Sequence, residues 1–201
     1  HKMEHPIIDA REKPCPIPFV LAKKQIEEHT EDFTVLVDNE PAYQNLKKLA
    51  AASGYSAQIQ QTEQGYSVVF SSDKAVHDFH DLQKPPAKSD EPWVLLLKSD
   101  VIGQGEFELG RNLMRMYLYT VRTGNDYPRE IIVINTGILL ATEDIHTIES
   151  LKMLEDAGVV VRVCGTCLDY YHKTEALKVG TVSNMYEIAH SLHEHKKVLS
   201  W

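Results

Sequence analysis

Three short, uninterrupted apolar runs, "WVLLLK", "EIIVIN" and "VVVRV", constrain this fold more than any other feature of the sequence. A strand that buries one face alternates apolar with polar residues. A strand buried on both faces reads as continuous Val, Ile and Leu, and such strands belong to parallel sheets covered by helices. Helical periodicity fills the gaps between the runs. One pattern spans 106–123 (Phe107, Gly110, Met114, Tyr117, Val121) and is stopped by Gly124, and a second spans 144–157 (Ile145, Ile148, Leu151, Leu154) and is stopped by Gly158. Asn184 and Glu187 have capping-box spacing ahead of a further helix, and "KVLSW" is a candidate last strand. Alternating strands and helices predict βαβ units, and hence a doubly wound, mostly parallel α/β sheet over residues 92–201.

Residues 4–72 have another rhythm. "PIIDAR" and "FTVLVDN" are strand candidates, and a helix is predicted over 16–29 with Phe19, Ala22 and Ile26 on one face. A second helix places Ala42, Leu46, Leu49, Ala50 and Ser53 on one face and ends at Gly54. "SAQIQQTEQGYSVVFSS" predicts two strands around Gln64-Gly65. The order is βαβαββ. Two helices then cover one face of a four-stranded sheet, giving a two-layer α/β sandwich. Between the blocks, residues 73–91 are polar, contain a Pro-Pro pair and predict a linker, with a short helix over 73–82. The two blocks share no internal repeat.

Composition narrows the function. A formal net charge of −8 argues against a general nucleic-acid binder, which needs clustered Lys and Arg. No apolar run reaches the length of a membrane span, and no signal-like segment is visible near the N-terminus. Three cysteines are too few, and odd in number, for a disulfide framework. A reduced, cytoplasmic protein is expected, with no bound cofactor and no metal.

The chemistry concentrates at those cysteines. In "KPCPIPFVLAKKQIEE", Cys15 lies between prolines where a helix begins. With Cys15 as N-cap, Pro16 and Pro18 fall at N1 and N3, where missing N–H groups cost nothing. The positive end of the helix, with Arg11 and Lys13 nearby, predicts a lowered thiol pKa and a nucleophilic sulfur on a stiff support. The alternative is a small buried residue. Cys164 ends the third apolar strand and Cys167 follows three residues on. Zinc would need four ligands, and there is no second Cys-x-x-Cys. A dithiol redox pair, a nucleophile with a neighbour that resolves or accepts sulfur, and two packed thiols remain open. Asn135 and Thr136 end the second strand and are placed in the same crevice, with Gly137 favouring a turn. Gly103, Gly105 and Gly110 fit a tight turn with close helix packing at Gly110, as well as an anion loop. His190, His193 and His195 read as solvated. For the Met- and Tyr-rich helix "RNLMRMYLYTVR" core packing is the default reading, and an apolar excess forming a subunit interface is the alternative.

The segment "IIDAREKPCPIPFVLAKKQIEE" resembles the signature of the TusA/SirA family of sulfur carriers. Asp9, Arg11, Cys15, Pro16, Pro18, Lys23 and Lys24 fit that pattern, while Glu12 stands where the family usually has glycine. The resemblance implies that Cys15 carries a persulfide received from a cysteine desulfurase or another sulfur or selenium donor. The second block resembles DsrE/TusD-like domains, through its β-α-β order, the "SDVIGQGEFELG" loop and the cysteine ending the third strand. That resemblance implies that Cys164 accepts sulfur and that the domain forms a homo-oligomer. The Cys-x-x-Cys form, "LGRNLM" and "SNMYEI" resemble the YedF group, which joins both domains on one chain and is linked to selenium metabolism. The expected function is therefore a sulfurtransferase-like relay of a persulfide from Cys15 to Cys164 and on to an acceptor protein. Arg11, Pro16, Pro18 and Asn135 support it, and Cys167 takes part. A dithiol oxidoreductase using Cys164 and Cys167, or a non-catalytic interaction module, are the alternatives.

Overall fold

The strand Ile7–Asp9 (β1) pairs in parallel with Asp32–Val37 (β2), and the helix Ile17–Glu27 (α1) connects them. The helix Glu40–Ala52 (α2) leads from β2 into an antiparallel hairpin, Tyr55–Thr62 (β3) and Gly65–Ser72 (β4), with sheet order β1-β2-β4-β3. This is the βαβαββ sandwich that the sequence predicts. The computed structural model describes residues 5–72 and 90–201. The chain divides into two compact units, His1–Lys84 and Pro85–Trp201. Apart from Asp90 and Glu91, the linker expected over 73–91, and all of the helix expected over 73–82, lie outside the described residues.

The first unit closes over alternating positions of its central strands. Phe33, Val35 and Val37 of β2 and Val68 and Phe70 of β4 are fully buried, and Phe33 stacks on Phe70 with ring centroids 4.5 Å apart. Ala22 of α1 and Leu46, Leu49 and Ala50 of α2 cover them. Each large apolar side chain buried here contributes about 1.5–3 kcal/mol. Because β1 and β2 are parallel, α1 and α2 both start at the carboxyl ends of those strands.

The second unit is a five-stranded, fully parallel sheet in the order β8-β7-β6-β5-β9. Its strands are Trp93–Leu97 (β5), Glu130–Val133 (β6), Val160–Cys164 (β7), Thr181–Ser183 (β8) and Lys197–Ser200 (β9). From β5 to β8 the chain steps in one direction; β9 then returns to the far side of β5. That reversal makes the sheet doubly wound. Its helices are Phe107–Thr123 (α3), Ile145–Asp156 (α4), Gly165–Tyr170 (α5) and Met185–Glu194 (α6).

Two polar clamps position these helices. Asp144, the N-cap of α4, is buried; its carboxylate accepts from the backbone N–H groups of His146 and Thr147, and from Arg115 Nε of α3 at 2.7 Å. Glu130, also buried, accepts from Arg162 Nε of β7 (3.0 Å) and from the Ser191 hydroxyl of α6 (2.5 Å). Burial works to raise the Glu130 carboxyl, but Arg162 and Ser191 outweigh it and hold it below the usual carboxylate range. Gly110 is buried at the start of α3, where an added Cβ would lie 2.9 Å from the Ile102 carbonyl oxygen. Close packing therefore accounts for that glycine.

Candidate functional site

In the first unit, the helix begins one residue later than the sequence predicts. Pro16, not Cys15, is the N-cap of α1, Pro18 sits at N2, and no side chain caps the helix. The Cys15–Pro16 peptide is cis. The Ile17 N–H, which follows the sulfur-bearing residue by two positions, donates to the Pro14 carbonyl at 2.9 Å. The expected lowering of the Cys15 pKa is corrected with it. Cys15 is exposed, yet the partial burial of its sulfur pushes the thiol above its usual value.

Arg11 does not supply the positive potential expected of it. Its Nε and Nη2 grip both oxygens of Asp9 at 2.9 and 2.6 Å, and its Nη1 donates to Gln64 in the β3–β4 turn. Arg11 beside it holds the Asp9 carboxyl down to about 2, through side-chain and backbone hydrogen bonds. Glu12 has φ of +59°, in the left-handed region that glycine adopts without strain, and its N–H donates to Asp38 Oδ2 at 2.6 Å. That hydrogen bond holds the Asp38 carboxyl below its usual value. Asp9, Arg11, Glu12, Asp38 and Gln64 thus form a polar knot at the loop leading to Cys15.

Cys15 itself lines a shallow cavity of about 90 Å³ between the starts of α1 and α2, with Lys13, Pro16, Pro18, Phe19, Asn39 and Pro41. Asn39 caps α2 by accepting from the Ala42 N–H at 2.9 Å. Two helix starts, each with a proline at its first or second position, therefore frame one exposed sulfur. Asn39 and Gln64 were not singled out from sequence. The Asn39 N-cap spacing was legible, whereas nothing local to Gln64 announces Arg11.

In the second unit, Cys164, Cys167 and Asn135 come together at the carboxyl edge of the sheet. Cys164 ends β7, is buried and caps α5. Its Sγ accepts from the Cys167 N–H (3.4 Å) and lies 2.7 Å from Cys167 Sγ, with both thiols free. The Asn135 N–H, just beyond β6, donates to Cys167 Sγ at 3.2 Å. Asn135 has φ of +51°, and its Oδ1 accepts from the Tyr171 hydroxyl at 2.9 Å. Gly137 holds this turn against β5; a Cβ there would lie 2.3 Å from the Leu97 carbonyl oxygen. Burial, and then the hydrogen bond to Cys164, push the Cys167 thiol up, with the Asn135 N–H opposing them. Tyr171 was not identified from sequence, because nothing in "DYYHK" distinguishes a ring that reaches back to Asn135. Among the described residues no cluster of three or more His, Cys, Asp or Glu is placed to hold a metal ion, and no helix is long and apolar enough to cross a membrane.

The first unit is thus a small α/β sandwich that presents an exposed, free cysteine at a proline-bounded helix start. Residues 7–72 match the family described as Sulfurtransferase TusA, so the first unit is a TusA/SirA-like domain. A SirA-like protein from Desulfitobacterium hafniense is 37% identical over 34% of this chain and 99% of its own, with a TM-score of 0.31. The ychN protein from E. coli is 18% identical over 55% of this chain and 99% of its own, with a TM-score of 0.41. A conserved protein of unknown function from Bacteroides thetaiotaomicron is 16% identical over 54% of this chain and 94% of its own, with a TM-score of 0.41. No curated protein matches the chain.

Proposed function

We propose that the chain is a sulfurtransferase-like relay in which Cys15 receives a persulfide from a donor such as a cysteine desulfurase and passes the sulfur to Cys164. The observation that carries this reading is the exposed Cys15 at the start of α1, within a domain of the TusA family. A second reactive site supports it, with Cys164 at the carboxyl edge of an α/β sheet, where such folds place their ligands. The second unit is read as DsrE-like and the whole chain as YedF-like, carrying sulfur or selenium. Thiolate attack on a terminal sulfur is the chemistry. Burial raises the Cys15 thiol, so positive charge brought to the cavity by a donor would favour the attacking thiolate. Assembly through α3 belongs to the same reading, since Phe107, Leu109 and Leu113 are exposed on that helix.

Intact-mass analysis after incubation with a cysteine desulfurase and cysteine tests the proposal. The Cys164→Ser chain, which cannot pass sulfur on, should gain sulfur at Cys15, and adding Cys15→Ser should abolish that gain. Failure of the Cys164→Ser chain to gain sulfur would overturn the carrier reading.

A further inference from the structure

Cys167 has no part in a simple relay, yet the geometry around it is specific. Its S–H and its backbone N–H both point at Cys164 Sγ, at 2.7 and 3.4 Å. The sulfur on which two donors converge is the one arranged to attack first, so Cys164 is the acceptor and Cys167 its proton-bearing neighbour. Cys167 Sγ in turn receives the Asn135 N–H at 3.2 Å, a donor able to stabilise negative charge there once the proton leaves. The Tyr171 hydroxyl and the close seat of Gly137 on Leu97 fix that donor in place. Cys164 is only 5% exposed, and Cys167 is the more open of the two. An external thiol seeking sulfur on Cys164 therefore competes with a thiol already in contact, and contact within one chain confers an effective concentration far above that of any free partner.

We propose that Cys167 resolves a persulfide formed on Cys164, so that the second unit releases sulfide. The Cys167 sulfur attacks Cys164 Sγ, the bond from Cys164 Sγ to the terminal sulfur breaks, and a Cys164–Cys167 disulfide forms. The terminal sulfur leaves as hydrosulfide, taking the proton of the Cys167 thiol. The two thiol sulfurs are oxidised to the disulfide as the sulfane sulfur is reduced, so no outside oxidant enters the step. Return to the free pair requires two electrons from an external dithiol reductant. This deepens the relay reading and rests on it only in taking Cys164 as a sulfur acceptor.

The test uses the full chain carrying Cys15→Ser, treated anaerobically with glutathione persulfide, with the Cys15→Ser/Cys164→Ser chain as background. Hydrosulfide should appear above background in near-stoichiometric yield, and peptide mapping should find Cys164 joined to Cys167. In the Cys15→Ser/Cys167→Ser chain, and equally with Cys167→Ala, Cys164 should retain a single added sulfur, and hydrosulfide release should slow by at least about tenfold. A stable persulfide on Cys164 with Cys167 present, unchanged release without Cys167, a glutathione adduct in place of the added sulfur, or no modification of Cys164 would each overturn the proposal. Because Cys15 is absent, the outcome is separate from the relay: if the parent chain loaded on Cys15 fails to pass sulfur on while these chains behave as expected, the relay falls and the resolving role of Cys167 stands.

Discussion

At Cys15 the sequence and the structure disagree about charge and agree about position. The Cys-Pro-x-Pro segment does place the sulfur at the start of α1, but the helix starts a residue later and the Ile17 N–H is committed to Pro14. Burial acts on the thiol and raises it. Alkylation of Cys15 should therefore be slower at neutral pH than that of a free-thiol peptide, and its rate should rise with pH along a curve displaced above the ordinary thiol value of about 8.5. Peptide mapping of iodoacetamide labelling against pH checks this; a curve displaced below the peptide's would restore the activated thiol. Three residues earlier, Glu12 holds a left-handed backbone. The strain of an L side chain there is about 1–2 kcal/mol, against about 0.4–1 kcal/mol of added chain freedom on introducing glycine. Glu12→Gly should thus stabilise the first unit by up to about 1 kcal/mol, read from the urea midpoint. A destabilised variant would mean that the Glu12 side chain contributes more to the knot than its strain removes.

Elements carry the clamps, and Asp144 is the one on which α3 and α4 depend. It caps α4 and holds Arg115 while itself nearly inaccessible, with Arg111 at 3.7 Å as a weaker partner. Asp144→Ala removes a cap worth about 0.5–2 kcal/mol and leaves Arg115 half-buried without its anion. The second unit should lose about 2–3 kcal/mol in denaturant unfolding, and Asp144→Asn, which keeps the cap, should lose less. Equal losses would show that charge, and not capping, does the holding. Elements were also the scale at which the sequence was most legible. Continuous apolar runs identified β5, β6 and β7 because burial on both faces leaves no alternation to misread, and the buried face of α2 followed from spacing alone, whereas on α4 Leu151 and Leu154 are buried but Ile145, expected on the same face, is exposed. The Cys164–Cys167 pair and its crevice partner Asn135 were likewise legible, because strand ends converge in a parallel sheet. What escaped were contacts made across the fold: Arg11 turning to Asp9 and Gln64, Asp38 catching Glu12, Tyr171 reaching Asn135. Such contacts depend on which loops meet at one end of a sheet. Local sequence does not encode that meeting, and a charge beside a cysteine in sequence need not lie beside it in space.

For the whole molecule, the proposed relay depends on the covalent connection between Cys15 and Cys164. The described part of the first unit ends at Ser72 and that of the second begins at Asp90, so the covalent span between them is at most about 65 Å at roughly 3.3–3.6 Å per residue. In the proposed relay, two thiols on one chain that can reach each other meet at an effective concentration on the order of millimolar, well above micromolar protein. Transfer of sulfur from Cys15 to Cys164 should therefore be first order, with a rate unchanged when the loaded protein is diluted tenfold. A mixture of Cys164→Ser chains loaded on Cys15 with unloaded Cys15→Ser chains should transfer sulfur more slowly, at a rate proportional to concentration. Rapid-quench mass analysis of Cys15 and Cys164 peptides over a dilution series distinguishes the two cases. First-order transfer in the parent and second-order transfer in the mixture would place donor and acceptor on one tether. If the mixture matches the parent at every dilution, the connection between the units does not direct the sulfur, and Cys15 serves acceptors other than its own second unit.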